Sequence, residues 1–232
     1  MIRCYDDFVE ALLNSGFSMD EGSPEDVYAV ITWRDNKSAP YQTPVYRNSG
    51  DIDTDPCKWQ ARILKERSDI AHGKLFHGKS GFITKEWYPY FLASRRCGGR
   101  TFDEAYSSGL LCDKSAEIYN LILKHGALPT YTIRQLMGLS NRRNLEFDAA
   151  LNLLQMKLFL TVCEKQKKTS RSGVESGNLS NIFCTTESFF GEDVFEKARR
   201  ISKSLAYIKI RKQTIKLNPM AKVLKVLKFI YG

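Results

Sequence analysis

The chain has 232 residues and a formal charge of +9, with 43% hydrophobic and 12% aromatic residues, enough for a packed core and too many for global disorder. The charge is uneven: residues 197–232 hold 11 Lys/Arg and no Asp/Glu, so the rest of the chain carries a net −2. A slightly acidic body with a basic tail points to nucleic acid or another anionic partner, and no apolar run approaches the ~20 residues of a membrane-spanning helix.

Tyr5, Phe8, Val9, Leu12 and Leu13 keep helical spacing and Gly16 stops it, which predicts an amphipathic helix over 5–16. Val27–Trp33 is β-branched and aromatic and predicts a strand. Residues 34–56, rich in Pro, Asn, Asp, Ser and Gly, predict a loop. Asp55-Pro56 starts a helix, because Asp caps and Pro at the first position loses no hydrogen bond. That helix is expected to end near Ile70 and to bury Trp59, Ile63 and Leu64. Gly73, Gly78 and Gly81 predict short strands or a hairpin. Thr84 is a candidate cap for a helix carrying Trp87, Tyr88, Tyr90 and Phe91, and Thr101 with Glu104 has capping-box spacing.

Asp113 is expected to cap a helix with Ile118, Tyr119, Ile122 and Leu123 on one face, ended by Gly126. A short helix over 132–138 follows. Ser140 is the expected cap of a third helix carrying Phe147, Ala150, Leu151, Leu154 and Leu158. Residues 158–163 and 179–186 read as two strands flanking a polar loop over 165–177. Helix, short helix, helix, strand, basic loop, strand is the order of a winged helix-turn-helix. The tail reads as two amphipathic stretches separated by Asn218-Pro219. Val194, Ala198, Ile201, Leu205 and Ile208 line the first, and Val223, Val226, Leu227 and Ile230 the second. The expected class is α+β: an N-terminal α+β region over 1–112, a winged helix-turn-helix domain over 113–187 and a basic helical segment over 188–232.

A winged helix places its third helix in the major groove of duplex DNA and its wing on the phosphates. Arg142, Arg143 and Asn144 stand at the start of that helix; Arg reads guanine and Asn reads adenine through paired hydrogen bonds. The wing supplies Lys165, Lys167, Lys168 and Arg171 for phosphate. Asp148 is expected near solvent, where it repels phosphate. A winged helix that contacts only protein is the alternative. The tail stripes are expected to dock on the body rather than on a membrane. Gly73 to Ser80 matches G-x-x-x-x-G-K-S literally, but charged helical residues precede it and a strand follows, so it reads as a glycine-rich turn. Three histidines and no Cys-x-x-Cys spacing give no metal-ligand pattern, and no cofactor is expected. Six scattered cysteines behind an N-terminus unlike a secretory leader suggest free thiols in a cytoplasmic protein.

Residues 4–17 (CYDDFVEALLNSGF), 53–62 (DTDPCKWQAR), 71–91 (AHGKLFHGKSGFITKEWYPYF), 132–139 (TIRQLMGL) and 147–168 (FDAALNLLQMKLFLTVCEKQKK) carry a family likeness. Over most of 4–186 the chain resembles AlkZ-related winged-helix proteins, small relatives of the AlkZ/YcaQ-type DNA glycosylases. The resemblance implies winged helices that embrace duplex DNA, in a DNA-repair context. It also implies metal-independent excision of alkylated or crosslinked bases by a Gln-x-Gln or Gln-x-Asp pair that positions water at the sugar. This sequence departs there: none of glutamines 42, 60, 135, 155, 166 and 213 has Gln or Asp two positions later. Gln60-Ala61-Arg62 comes nearest, and Asp55 and Glu66 are candidate substitutes. The resemblance therefore supports DNA binding more than catalysis.

Overall fold

The computed structural model describes residues 2–20, 27–31, 56–96, 99–140, 143–169 and 175–232. Helices α1 (Tyr5–Ser15) and α2 (Pro56–Glu66) and strands β1 (Phe17–Met19), β2 (Ile70–Phe76) and β3 (Lys79–Thr84) form the N-terminal part, with α3 (Tyr88–Arg95) and α4 (Phe102–Ser107). Then come α5 (Asp113–His125), β4 (Leu128–Pro129), α6 (Thr130–Leu136), α7 (Leu145–Met156), β5 (Leu160–Thr169) and β6 (Glu175–Thr185). The chain closes with α8 (Thr186–Phe190), α9 (Glu192–Arg199), α10 (Lys203–Leu217) and α11 (Val223–Tyr231). The class is α+β. No described helix is long and apolar enough to cross a membrane.

The strands make one antiparallel sheet in the order β1-β3-β2-β5-β6-β4. Its seam is the pairing of His72 with Val162, which joins the N-terminal hairpin to the β5–β6 hairpin. Alternation along the strands separates two faces. Ile70 and Phe82 face α1 and α2 and pack with Phe8, Trp59 and Ile63. Ala71, Ile83 and Phe17 face the other way and pack with Phe91, Val194 and Phe229 of α3, α9 and α11. A third cluster, with Phe102, Ile118, Phe147, Leu154, Phe159 and Phe183, joins α4, α5 and α7 to β5 and β6.

The glycine-rich stretch is a hairpin, not a phosphate loop. His77 and Gly78 both have positive φ, at 50° and 78°, the turn that suits the strand twist. A Cβ at Gly73 would lie 2.9 Å from Gln155 Oε1, and one at Gly81 would lie 2.4 Å from the Ser18 carbonyl oxygen. Of the two motif glycines, Gly73 admits Gln155 and Gly78 takes the positive φ of the turn, which accounts for both without a ligand.

Two buried arginines staple the parts together. Arg95 is 3% exposed and Arg96 fully buried. Arg95 Nε donates to the Ile230 carbonyl at 2.9 Å, Nη1 to the carbonyls of Leu75 and Met156, and Nη2 to that of Phe229. The closing turns of α7 and α11 thus present their negative dipole ends to a guanidinium. Burial pulls the Arg95 pKa down to about 9, which leaves the group charged at neutral pH. Arg96 donates to the Lys157 and Leu158 carbonyls, to Thr186 Oγ1 and to Glu187 Oε1, the last at 2.9 Å.

Several local expectations change. Val27–Ile31 is buried but not a strand: Met19 N donates to the Tyr28 carbonyl and Val30 N to Ser18 Oγ, so a side chain replaces part of the ladder; residues 32–33 lie outside the described residues. Asn144, not Ser140, caps α7, its Oδ1 accepting from Phe147 N at 3.0 Å. Much of the polar 165–177 segment is strand, because β5 and β6 keep pairing as far as Thr169 and Glu175. The first tail stripe is broken: Ser202 caps a new helix through Leu205 N, resetting the phase, so Ala206, Ile210 and Thr214 are buried while Leu205 and Ile208 are exposed. In the second stripe Phe229 joins Val226 and Ile230 in the core, and Val223 is exposed.

Candidate functional site

Four polar side chains from four elements meet on the α2 face of the sheet. Asp20 follows β1, Gln60 lies on α2, His72 on β2 and Lys165 on β5. Gln60 Nε2 is 2.8 Å from Asp20 Oδ2 and 2.7 Å from His72 Nε2, and His72 Nε2 is 3.0 Å from the same carboxylate oxygen. Lys165 Nζ donates to Gln60 Oε1. The triangle couples proton position to partner choice. A proton on His72 Nε2 donates to Asp20; a proton on Nδ1 leaves Nε2 to accept from Gln60. His72 is 3% exposed, and its Nδ1 is a buried atom with no hydrogen-bond partner among the described residues. Burial lowers the Lys165 pKa, and the Asp20 charge pushes it back up.

Asp20 and Gln60 line a recess of about 20 Å³ with Phe8, Ser18, Met19, Ile31 and Phe82. That volume suits about one water molecule. A carboxylate and an amide facing one water can orient it and take its proton, and His72 holds that carboxylate from behind. Of the catalytic candidates read from the sequence, only Gln60 is placed here. Glu66 is six residues further along α2, about 120° round the helix, and pairs with Arg62 at 2.9 Å on the surface. Asp55 lies outside the described residues. Asp20 and His72 escape sequence reading because their contacts span 40, 52 and 12 residues of chain, beyond any local motif.

The expected DNA-contacting residues that the structure describes are spread along one helix start and one strand. Arg143 is exposed just ahead of α7, while Arg142 lies outside the described residues. Asn144 commits its Oδ1 to the helix cap. Asp148 accepts from Arg134 Nη2 at 2.7 Å, so its charge is largely offset, and that guanidinium lies over the Phe147 ring. Lys165 turns inward to Gln60 rather than outward. Lys167 and Lys168 lie on β5 opposite Leu179 and Ser176, and Arg171 lies outside the described residues. Among the described residues no three His, Cys, Asp or Glu side chains are placed to hold a metal.

A family model described as AlkZ related matches residues 2–231. No curated protein and no solved structure matches the chain.

Proposed function

This chain belongs to the AlkZ-related family, and on that premise we propose that it binds duplex DNA through a winged helix-turn-helix domain over residues 113–187, in a DNA-repair context. The observation that carries this reading is the order α5–β4–α6–α7–β5–β6, with β4 paired to β6 through Leu128 opposite Phe183 and Pro129 opposite Ile182. Three helices on a three-stranded unit with a long hairpin are the parts such a module needs. In this reading α7 enters the major groove, Arg142 and Arg143 meet its edge, and Lys167, Lys168 and Arg171 hold phosphates. Arg134 supports it by offsetting Asp148, an acid expected to repel the backbone. Residues 1–112 and 188–232 flank this domain and buttress it.

The test is a double substitution, Arg142→Ala with Arg143→Ala. Two lost contacts should weaken duplex binding about tenfold or more and, where both are made to phosphates, reduce the salt slope by about 2. An unchanged affinity in a folded variant would sink this assignment.

A second reading rests on the polar cluster: a DNA glycosylase with a site other than the Gln-x-Gln or Gln-x-Asp pair. Here Asp20 orients and deprotonates water, Gln60 and His72 hold the carboxylate, and Lys165 brings positive charge toward a departing base. The strand that carries Lys165 is also the wing strand, which places the cluster beside the proposed DNA path. Alkylated duplex should then accumulate abasic sites, and Asp20→Asn should slow their formation about 10²–10⁴-fold. No abasic sites above the protein-free rate, across several lesions, would retire this reading and leave DNA binding intact.

A further inference from the structure

Helix α10 is apolar on two opposite faces. Ala206, Ile210 and Thr214 are buried against the body. Opposite them, Leu205, Ile208 and Ile215 are 51%, 59% and 39% exposed. With Lys212 they fall at spacings of three, four and three, the a and d positions of two heptads. At 100° per residue this row lies on the side of the helix directly away from the buried one. Lys209 and Lys216 then occupy e positions, and Arg211 a g position. All three are exposed, as is Lys212 within the row itself. The turn after α10 and the start of α11 add Met220, Val223 and Leu224, each more than three-fifths exposed.

We propose that this outward face of α10 is a docking seam for an acidic amphipathic helix of another protein. Charge selects the occupant. In a heptad seam the residues at e and g set partner choice. A second copy of α10 would oppose lysine and arginine to themselves, and no acidic residue occurs anywhere in 197–232 to relieve this. A helix with Leu or Ile at a and d and Glu at e and g answers both the apolar row and the basic flanks. Lys212 argues against a bilayer as the occupant: it sits in the middle of the apolar row, where lipid would surround its ammonium and a partner carboxylate would pair it. The seam is also preorganised. Gln213 Nε2 donates to the Ser15 carbonyl at 2.9 Å on the flank toward the body, so α10 is already folded and held before any partner arrives.

The test titrates the full chain into a fluorescent acidic helix of about three heptads, with a basic helix of the same apolar pattern as control. The expected result is saturable one-to-one binding to the acidic helix alone. Ile208→Asp should weaken it about tenfold or more, and a Lys209→Glu, Arg211→Glu, Lys216→Glu variant should prefer the basic helix. These positions are exposed, so thermal melting checks that each variant stays folded. Three outcomes would overturn the proposal. One is no binding to the acidic helix; another is equal binding to both helices. The third is binding only to vesicles rich in phosphatidylserine or to duplex DNA, lost in the same variants.

Discussion

Arg95→Leu should destabilise the protein by about 3–5 kcal/mol, more than any surface change in the molecule. Leucine fills part of the volume but donates nothing. The carbonyls of Leu75, Met156 and Phe229 would lose this donor in a buried site, while that of Ile230 keeps Ser94 Oγ at 3.1 Å. Each orphaned carbonyl costs about 1–3 kcal/mol, less what relaxation and entering water recover. Arg95→Lys should fail nearly as badly, since one ammonium on a flexible stem cannot span four acceptors held by three elements. Urea unfolding followed by fluorescence reads the effect, because Trp59 and Trp87 are both buried. A loss below about 1 kcal/mol would mean that the freed carbonyls find other donors, and that Arg95 is no clamp.

The second large effect is Phe229→Ala, which should cost about 3–5 kcal/mol. Phe229 stacks on Phe76 at 4.1 Å and contacts Phe17 at 5.2 Å and Phe91 at 5.5 Å. Its removal leaves a cavity among three rings that sit on β1, β2 and α3, and rigid neighbours close such a cavity poorly. A marginal effect on the unfolding midpoint would show that α11 is a loosely attached appendage. The prediction bears on the basic tail. A truncation at residue 196 would remove Phe229, Ile230 and two of the Arg95 acceptors together, so it would report on folding rather than on charge. The tail's charge is tested instead by changing lysines that lie on the surface.

These effects also show which parts of the molecule are legible in its sequence. Helix α1 is readable because its apolar residues repeat at helical spacing and Gly16 ends it with φ at 83°. The capping box at Thr101 and Glu104 forms as its spacing predicts, with both reciprocal bonds. Signals of that kind are local. The sheet is not local: β1 is only three residues long, and its pairing with β3 joins Phe17 to Ile83. The two arginines of 95–96 look like surface charge in the sequence, since what makes them interior is the convergence of helix ends more than sixty residues away. The polar cluster is hidden for the same reason. Gln60 is visible as a candidate, but Asp20, His72 and Lys165 join it only through the fold. Lys165 shows how the fold adds a partner that the sequence does not announce. A lysine in a basic run reads as a phosphate contact, yet strand pairing continues past it and turns its side chain inward. In the tail, helical periodicity is present but shifts phase at Ser202, so one continuous stripe in the sequence is two helices with different buried faces.

The measurement that bears most directly on DNA binding is duplex affinity across a salt series for the full chain. On the proposed reading Arg142, Arg143, Lys167, Lys168 and Arg171 would make up to five phosphate contacts, so log affinity should fall with log salt at a slope of about −4 to −5. Between about 50 and 200 mM salt the affinity should drop several hundredfold. Absent binding, or binding whose affinity does not change with salt, would contradict the account.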